Sequence, residues 1–419
     1  MGHTVITFLG IYPKKTDYYY QGKIYTGQVF AEALLQFLEF DRMVVLTTEE
    51  AESVFLQTLS ERNDPRIQKI SIPEGKNEAE IWNIFEKVIQ AIPENETVTF
   101  DITHGLRSIP FLVFLFAAYL KSAKGVSIRS IFYGAQELSR KNNNIAPVLD
   151  LSSFADMLDW INAADQFIQT GNAIGLANLL EKREKKAADA LRKVSQAALL
   201  AQPFSLSNEA QKLQKELTRA ANSFPHTSQP FTLLTDNIVR TFTPFILPEG
   251  ISKESPVPSE SGKELLSREW NLIEWYYHHG HWMQALTLAR EFIIDLIVWE
   301  TGDTIDLKPE NRSTVEKGIT GVFRIGKKFR DDNGEVRLFT ENDLNVFGAK
   351  FYTSHPQAME IATLFDSVSF LRNQLDHAEH KKDTLRFSKL LQKIPQDLEK
   401  VRRLYEEKLI IPFETGNTP

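Results

Sequence analysis

Residues 97–121 read TVTFDITHGLRSIPFLVFLFAAYLK. Thr97–Asp101 is a short β-branched run, and Ile109 opens an apolar run of helical length. Between them stands the polar turn Asp101-Ile102-Thr103-His104-Gly105-Leu106-Arg107-Ser108. A strand that passes through a tight polar turn into a helix is one arm of a βαβ unit. The apolar run to Leu120 is shorter than the roughly 20 residues that span a bilayer, so it reads as a buried helix, with Pro110 in its first turn.

The same alternation extends outward on both sides. Strand patterns fall near Val5–Leu9, Met43–Thr47, Ile67–Ile72, Thr97–Asp101 and Ser127–Tyr133. Helical patterns fall at Gln28–Phe40, Glu49–Ser60 (the weakest), Glu78–Ile92 and Ile109–Lys121. This predicts an α/β domain with a parallel sheet over residues 1–150, with ligands expected outside the carboxyl ends of the strands.

From Ser152 to about Phe224 the strand signals stop and Ala-, Leu- and Lys-rich helical patterns replace them. The charged run Leu179–Lys186 reads as a solvated helix face, with RNA contact as the alternative. Pro248–Gly262 is rich in Pro, Ser, Gly and Glu and reads as a linker or flexible loop. Beyond it Leu266, Trp270, Ile273 and Tyr277 keep helical spacing, Gly280 breaks it, and Trp282, Leu286, Ala289, Ile293 and Leu296 resume it. Thr314–Thr353, with Gly318, Gly321, Gly326 and Gly334, reads as an insertion or long loop. A last helical block runs from Ile361 to Leu409, interrupted near Lys381–Asp383 and at Pro395. The expected division is therefore 1–150, a helical connecting region and linker over 151–262, and a helical domain over 263–419.

Composition narrows the chemistry. A net charge of −7 on 419 residues argues against a chain that coats nucleic acid or membrane, so any RNA contact is local. The absence of cysteine excludes disulfides, Cys zinc sites and thiol nucleophiles, and fits a reducing cytoplasm. The N-terminal run Val5–Leu9 lacks the features of a signal peptide.

The turn after Asp101 offers backbone N–H groups, a helix N-terminus and the Arg107 cation, a set that suits a phosphate or nucleotide. An ordinary turn, with Thr103 or Ser108 as cap and His104 packed, fits the same residues. Other loops at this sheet edge begin at Gly10, Thr47–Thr48 and Gly134. Tyr12, Tyr18, Tyr19 and Tyr20 are candidates to stack on a base, although tyrosine is also common in loops. No G-x-G-x-x-G follows the first strand, so a dinucleotide fingerprint is missing.

A second constellation lies on a late helix with Leu364, Val368, Leu371 and Leu375 on its apolar side. Asn373 and His377 share a face, and Arg372 sits about a third of a turn round. His377 can act as general acid or base and Arg372 can hold a scissile phosphate, while the 2′-hydroxyl of RNA attacks. The same spacing also fits a plain exposed helix in which Arg372 pairs with Asp376. A metal set of His377, His380 and Asp376 is a further reading.

Taken together, Asp101-x-Thr103-His104-Gly105 and Arg372-x4-His377 give the chain a resemblance to the CRISPR-associated proteins of type III systems that join a CARF sensor domain to a HEPN ribonuclease domain. The resemblance implies a Rossmann-like CARF domain with a parallel sheet, followed by an all-α HEPN domain. It implies a homodimer or higher oligomer whose paired CARF domains bind cyclic oligoadenylate, a tetra- or hexa-adenylate, as allosteric activator. It further implies a metal-independent endoribonuclease of single-stranded RNA in antiviral defence, with Arg372, Asn373 and His377 at a composite centre and no cofactor or metal required. Gly10, Thr47, Thr48, Thr103, His104, Gly105, Arg107 and Gly134 are the expected ligand-pocket residues. The alternatives are a non-catalytic CARF regulator acting through a partner, and a CARF-linked DNA nuclease.

Overall fold

The computed structural model describes residues 2–104, 108–222, 228–306, 308–330, 335–376 and 385–410. The chain divides into two compact units, Met1–Ile161 and Asn162–Pro419.

The first unit is built on eight strands: β1 (His3–Phe8), β2 (Thr16–Tyr20), β3 (Lys23–Gly27), β4 (Arg42–Thr47), β5 (Ile67–Ser71), β6 (Thr97–Asp101), β7 (Ser127–Gly134) and β8 (Ile145–Asp150). They form one sheet in the order β3-β2-β8-β7-β6-β1-β4-β5. The run β7-β6-β1-β4-β5 is parallel throughout. Strand β8 pairs antiparallel with β7 and parallel with β2, which turns back antiparallel into β3. From β1 the chain builds outward through β4 and β5, then crosses back to lay β6 and β7 on the other side. The order therefore reverses between β1 and β6, and it is outside the carboxyl ends of the strands at such a reversal that open α/β sheets bind ligands.

Four helices cover this sheet: α1 (Phe30–Phe37), α2 (Glu52–Thr58), α3 (Glu78–Ala91) and α4 (Ile109–Lys124). Side chains alternate between two cores with the strand period of two. Ile6 and Phe8 of β1, Val44 and Leu46 of β4, and Val98 and Phe100 of β6 pack with Ile84, Val88, Val113 and Phe116 of α3 and α4. Val5, Met43 and Val45 point the other way, to Phe30, Ala33 and Leu34 of α1 and Val54 of α2. Burial on both faces is why these strands read as continuous apolar runs.

The second unit is mainly helical: α5 (Ser152–Thr170) leads into it, followed by α6 (Ile174–Leu180), α7 (Lys185–Leu199), α8 (Pro203–Ala221), α9 (Ser228–Phe242), α10 (Ser259–His278), α11 (Trp282–Glu300) and α12 (Pro309–Arg324). A small hairpin, β9 (Lys328–Arg330) with β10 (Val336–Leu338), precedes α13 (Val346–Ser354), α14 (Ala358–Asp376) and α15 (Phe387–Tyr405). Helix α11 is apolar almost all round, from Ala285 through Ile293 to Val298, and is the central helix on which α10, α12, α14 and α15 pack. A partly buried ion ladder ties α11 to α12. Arg312 of α12 bonds Asp295 at 2.6 Å and also Glu291 of α11, while Arg290 reaches Glu291 at 2.6 Å and Glu316 at 2.7 Å. Burial pushes the Asp295 carboxyl up to about 6 and that of Glu269 well above the carboxylate range.

Several expectations change. Tyr18, Tyr19 and Tyr20 are not loop residues but form β2, turned into β3 by Gln21 and Gly22 at positive φ, and Tyr18 is fully buried. Strand β8 was not expected. Thr314–Thr353 is not a long loop: its glycines include two inside α12, because helices meet there. A Cβ on Gly318 would lie 2.8 Å from the Gly348 nitrogen, and one on Gly321 3.0 Å from Leu344. Pro395 does not interrupt α15, since Leu390, Ile394, Leu398, Val401 and Leu404 keep one buried stripe through it. The linker is shorter than expected, as α10 already begins at Ser259. The break near Lys381–Asp383 lies outside the described residues.

Candidate ligand site at the sheet edge and the late helix motif

The pairing Thr7↔Asp101 and Phe8↔Leu46 brings the carboxyl ends of β6, β1 and β4 level, and Asp101↔Phe132 adds β7. Gly10, Thr47, Thr48, Thr103, His104 and Gly134 therefore all stand at one edge of the sheet, around the β1/β6 reversal. Gly105 and Arg107 lie outside the described residues.

Asp101 is wholly buried. It accepts from Thr7 Oγ1 at 2.6 Å and from the Thr103 amide at 2.8 Å. Burial nevertheless raises its carboxyl to about 6 against those bonds. Thr103 Oγ1 accepts from the Gly134 N–H at 2.8 Å, so β6 is stitched to β7 just beyond their last paired residues. His104 Nε2 accepts from the Phe30 N–H at 3.0 Å and lies 3.4 Å from the Tyr18 hydroxyl, itself bonded by Gln136. Burial pushes its imidazole down to about 4, so the ring is neutral at physiological pH.

The two glycines at this edge are explained by close approach. A Cβ on Gly10 would stand 3.2 Å from the His104 carbonyl oxygen, and one on Gly134 2.9 Å from the Tyr18 ring and 3.1 Å from that of Phe30. Thr47 is buried, and its hydroxyl has no partner among the described residues. Thr48 Oγ1 accepts from the Ala51 amide at 3.3 Å, an ordinary turn contact ahead of α2. Ser108 makes no side-chain capping bond to α4, and among the described residues no other side chain is seen to cap its first N–H groups. Tyr12 is 83% exposed beside this edge. Phe30 and Gln136 were missed from the sequence, and Tyr18, a candidate there for stacking on a base, is instead fully buried. Their link to His104 is spatial, and no local pattern marks it.

On α14 the buried stripe is Ala358, Ile361, Ala362, Leu364, Phe365, Val368 and Leu371. Arg372 Nη1 pairs with Asp376 at 2.7 Å, as a plain helix face would arrange it, and Arg372 Nε is buried without a partner among the described residues. Asn373 is exposed one residue on. His377 and His380 lie outside the described residues. His278 and His279 form an ordinary helix end, with His279 bonded to the carbonyls of Trp275 and Ile168. Among the described residues no cluster of three or more His, Asp or Glu could hold a metal ion, and no helix is long and apolar enough to cross a membrane.

Among known proteins, residues 156–245 match the family model described as CRISPR-associated protein MJ1674, second domain. That stretch covers most of α5 and all of α6 to α9, where the sequence offers no motif. A CRISPR-associated protein MJ1674 from Methanocaldococcus jannaschii is 32% identical over 124 residues, which are 29% of this chain and 19% of that protein. The match thus spans about a fifth of the relative's length. A structure of Enterococcus italicus Csm6 bound to cyclic hexa-2′-fluoro-hexa-dAMP aligns with 98% of this chain and 95% of its own, at 10% identity and a TM-score of 0.42. Residues 156–245, which follow the parallel sheet, are thus similar to the second domain of a CRISPR-associated protein.

Proposed function

We propose that this protein is a cyclic oligoadenylate-activated, metal-independent endoribonuclease of type III CRISPR defence. On this reading residues 1–150 sense the ring, 151–262 connect, and 263–419 cleave single-stranded RNA. The observation that carries it is the placement of the Asp101-x-Thr103-His104 string at the β1/β6 reversal, where an α/β sheet binds its ligand, in a chain related to CRISPR-associated proteins. A two-fold ring bound by a homodimer favours one arrangement of the protomers, and so shifts the population towards a pairing competent to cleave.

In that pairing Arg372 stabilises charge developing on the scissile phosphate, and His377 moves the proton of the 2′-hydroxyl or of the leaving oxygen. Asn373, exposed beside Arg372, is the third candidate. Arg372 must exchange Asp376 for the phosphate; a partly exposed pair of this kind contributes only about 0–1 kcal/mol, so the exchange costs little.

The test mixes the purified chain with labelled RNA and DNA, with and without cyclic tetra- and hexa-adenylate, in chelator. Ring-dependent RNA cleavage that survives the chelator and falls at least about a hundredfold in Arg372→Ala and His377→Ala is the expected result. Chelator-sensitive DNA cleavage would overturn the reading. Ring binding with no cleavage would instead favour the non-catalytic regulator.

A further inference from the structure

We propose that His104 is a positioning residue, which acts by joining the end of β6 to the start of α1 and does not itself contact the ligand. This deepens the reading given above and rests on it for the ligand class.

The case begins at the N-terminus of α1. A helix leaves its first N–H groups without intrahelical acceptors, and a capping side chain usually takes one of them. The residue at the capping position here is Val29, which has no acceptor to offer. Glu32 takes the Gln28 and Val29 N–H groups with its own carboxylate, at 2.5 and 3.1 Å. The Phe30 N–H, first in the helix proper, points at His104 Nε2, which comes from another part of the chain. An Nε2 that accepts from an amide carries no proton, so the ring is the tautomer protonated at Nδ1. The Tyr18 hydroxyl lies near the same nitrogen, and Gln136 holds that hydroxyl.

The rest of the string points the same way. Thr103 spends its hydroxyl on Gly134 of β7, and Asp101 spends its two oxygens on Thr7 of β1 and on the Thr103 amide. The His104 carbonyl sits close enough to Gly10 to exclude any larger residue there without a shift. Three successive polar side chains thus fasten the end of β6 to β1, to β7 and to α1. Imidazole is suited to such a bond because it presents an acceptor at the end of a short, rigid arm. Glutamine places its amide oxygen at a similar reach, whereas alanine leaves the Phe30 N–H without an acceptor.

The experiment compares wild type, His104→Ala and His104→Gln in the full-length protein. Affinities for cyclic tetra- and hexa-adenylate are measured by calorimetry, and hydrogen exchange is followed over residues 28–37. His104→Ala is expected to speed exchange at the start of α1 and weaken ring binding about ten- to a hundredfold, the range for an orphaned buried donor that loosens a site's support. His104→Gln is expected to restore protection and to bind within about threefold of wild type. A Gln variant that keeps α1 protected yet binds the ring as weakly as the Ala variant would overturn the proposal, because the imidazole would then be a ligand contact. If wild type binds neither ring, the functional reading fails by itself. The positioning role then stands or falls on exchange alone: Ala must lose protection at Phe30 and Gln must keep it.

Discussion

Replacing Gly134 by alanine tests how tightly the edge of the sheet is packed. The added methyl would stand 2.9 and 3.2 Å from two carbons of the Tyr18 ring and 3.1 Å from the Phe30 ring. Ordinary carbon–carbon contacts lie at about 3.5–4.0 Å, so one or both rings must retreat by roughly half an ångström. Neither has room. Both are fully buried, their centroids are 4.9 Å apart, and Tyr18 is held by its hydroxyl and by pairing to β3 and β8. Overpacking of this kind costs about 1–3 kcal/mol. Against it stands a gain of about 0.4–1 kcal/mol from a less flexible unfolded chain, since Gly134 has no positive φ to protect. The balance is a loss of about 1–2 kcal/mol, which for a unit of this size lowers Tm by roughly 2–8 °C. Calorimetry of wild type and variant reads this directly. A Tm unchanged or raised would show that the Tyr18–Phe30 pair yields freely, and the tight edge described above would be wrong.

Two further outcomes follow from buried charge. Asp101 ionises near 6 in the folded chain against about 3.9 when unfolded, so the native state holds its proton longer and the stability it contributes below about pH 4 is lost as pH rises through 6. Relative to Asp101→Asn, whose side chain does not titrate, wild type should lose stability between pH 4.5 and 7. A difference independent of pH in thermal melts would refute this. Arg312→Ala should strand Asp295, which is almost fully buried, while Glu291 keeps Arg290, and cost about 3–5 kcal/mol by chemical denaturation. A loss under 1 kcal/mol would mean that the ladder is hydrated.

The parallel half of the sheet was legible because strands buried on both sides read as plain apolar runs, as in Met43-Val44-Val45-Leu46, and because Asp101 to Ser108 marks a strand-to-helix turn. The other elements were hidden by residues whose usual meaning is overridden by contact. Tyr18–Tyr20 look like a loop until the hairpin with β3 buries Tyr18. Gly318 looks like a break until Gly348 is found against it. Pro395 looks like a stop, at a cost of about 3 kcal/mol, until the apolar stripe carries the helix through it. At the sheet edge, positions could be read from strand ends, but partners could not: the amide that bonds His104 belongs to Phe30, whose side chain says nothing about its N–H. The Arg372–Asp376 pair was legible because both residues lie one turn apart on one helix.

The sheet order also sets a timetable for synthesis. Strand β2 hydrogen-bonds on one side to β3, its immediate successor, but on the other to β8, which follows ~125 residues later and so leaves the ribosome roughly 6–25 s afterwards at ordinary elongation rates. During that interval the nascent hairpin exposes an unpaired backbone edge that includes Tyr18 and Tyr19, a template for pairing with a neighbouring chain. Slowing translation within residues 21–144 should therefore increase aggregation of this protein, whereas slowing it after residue 150 should not.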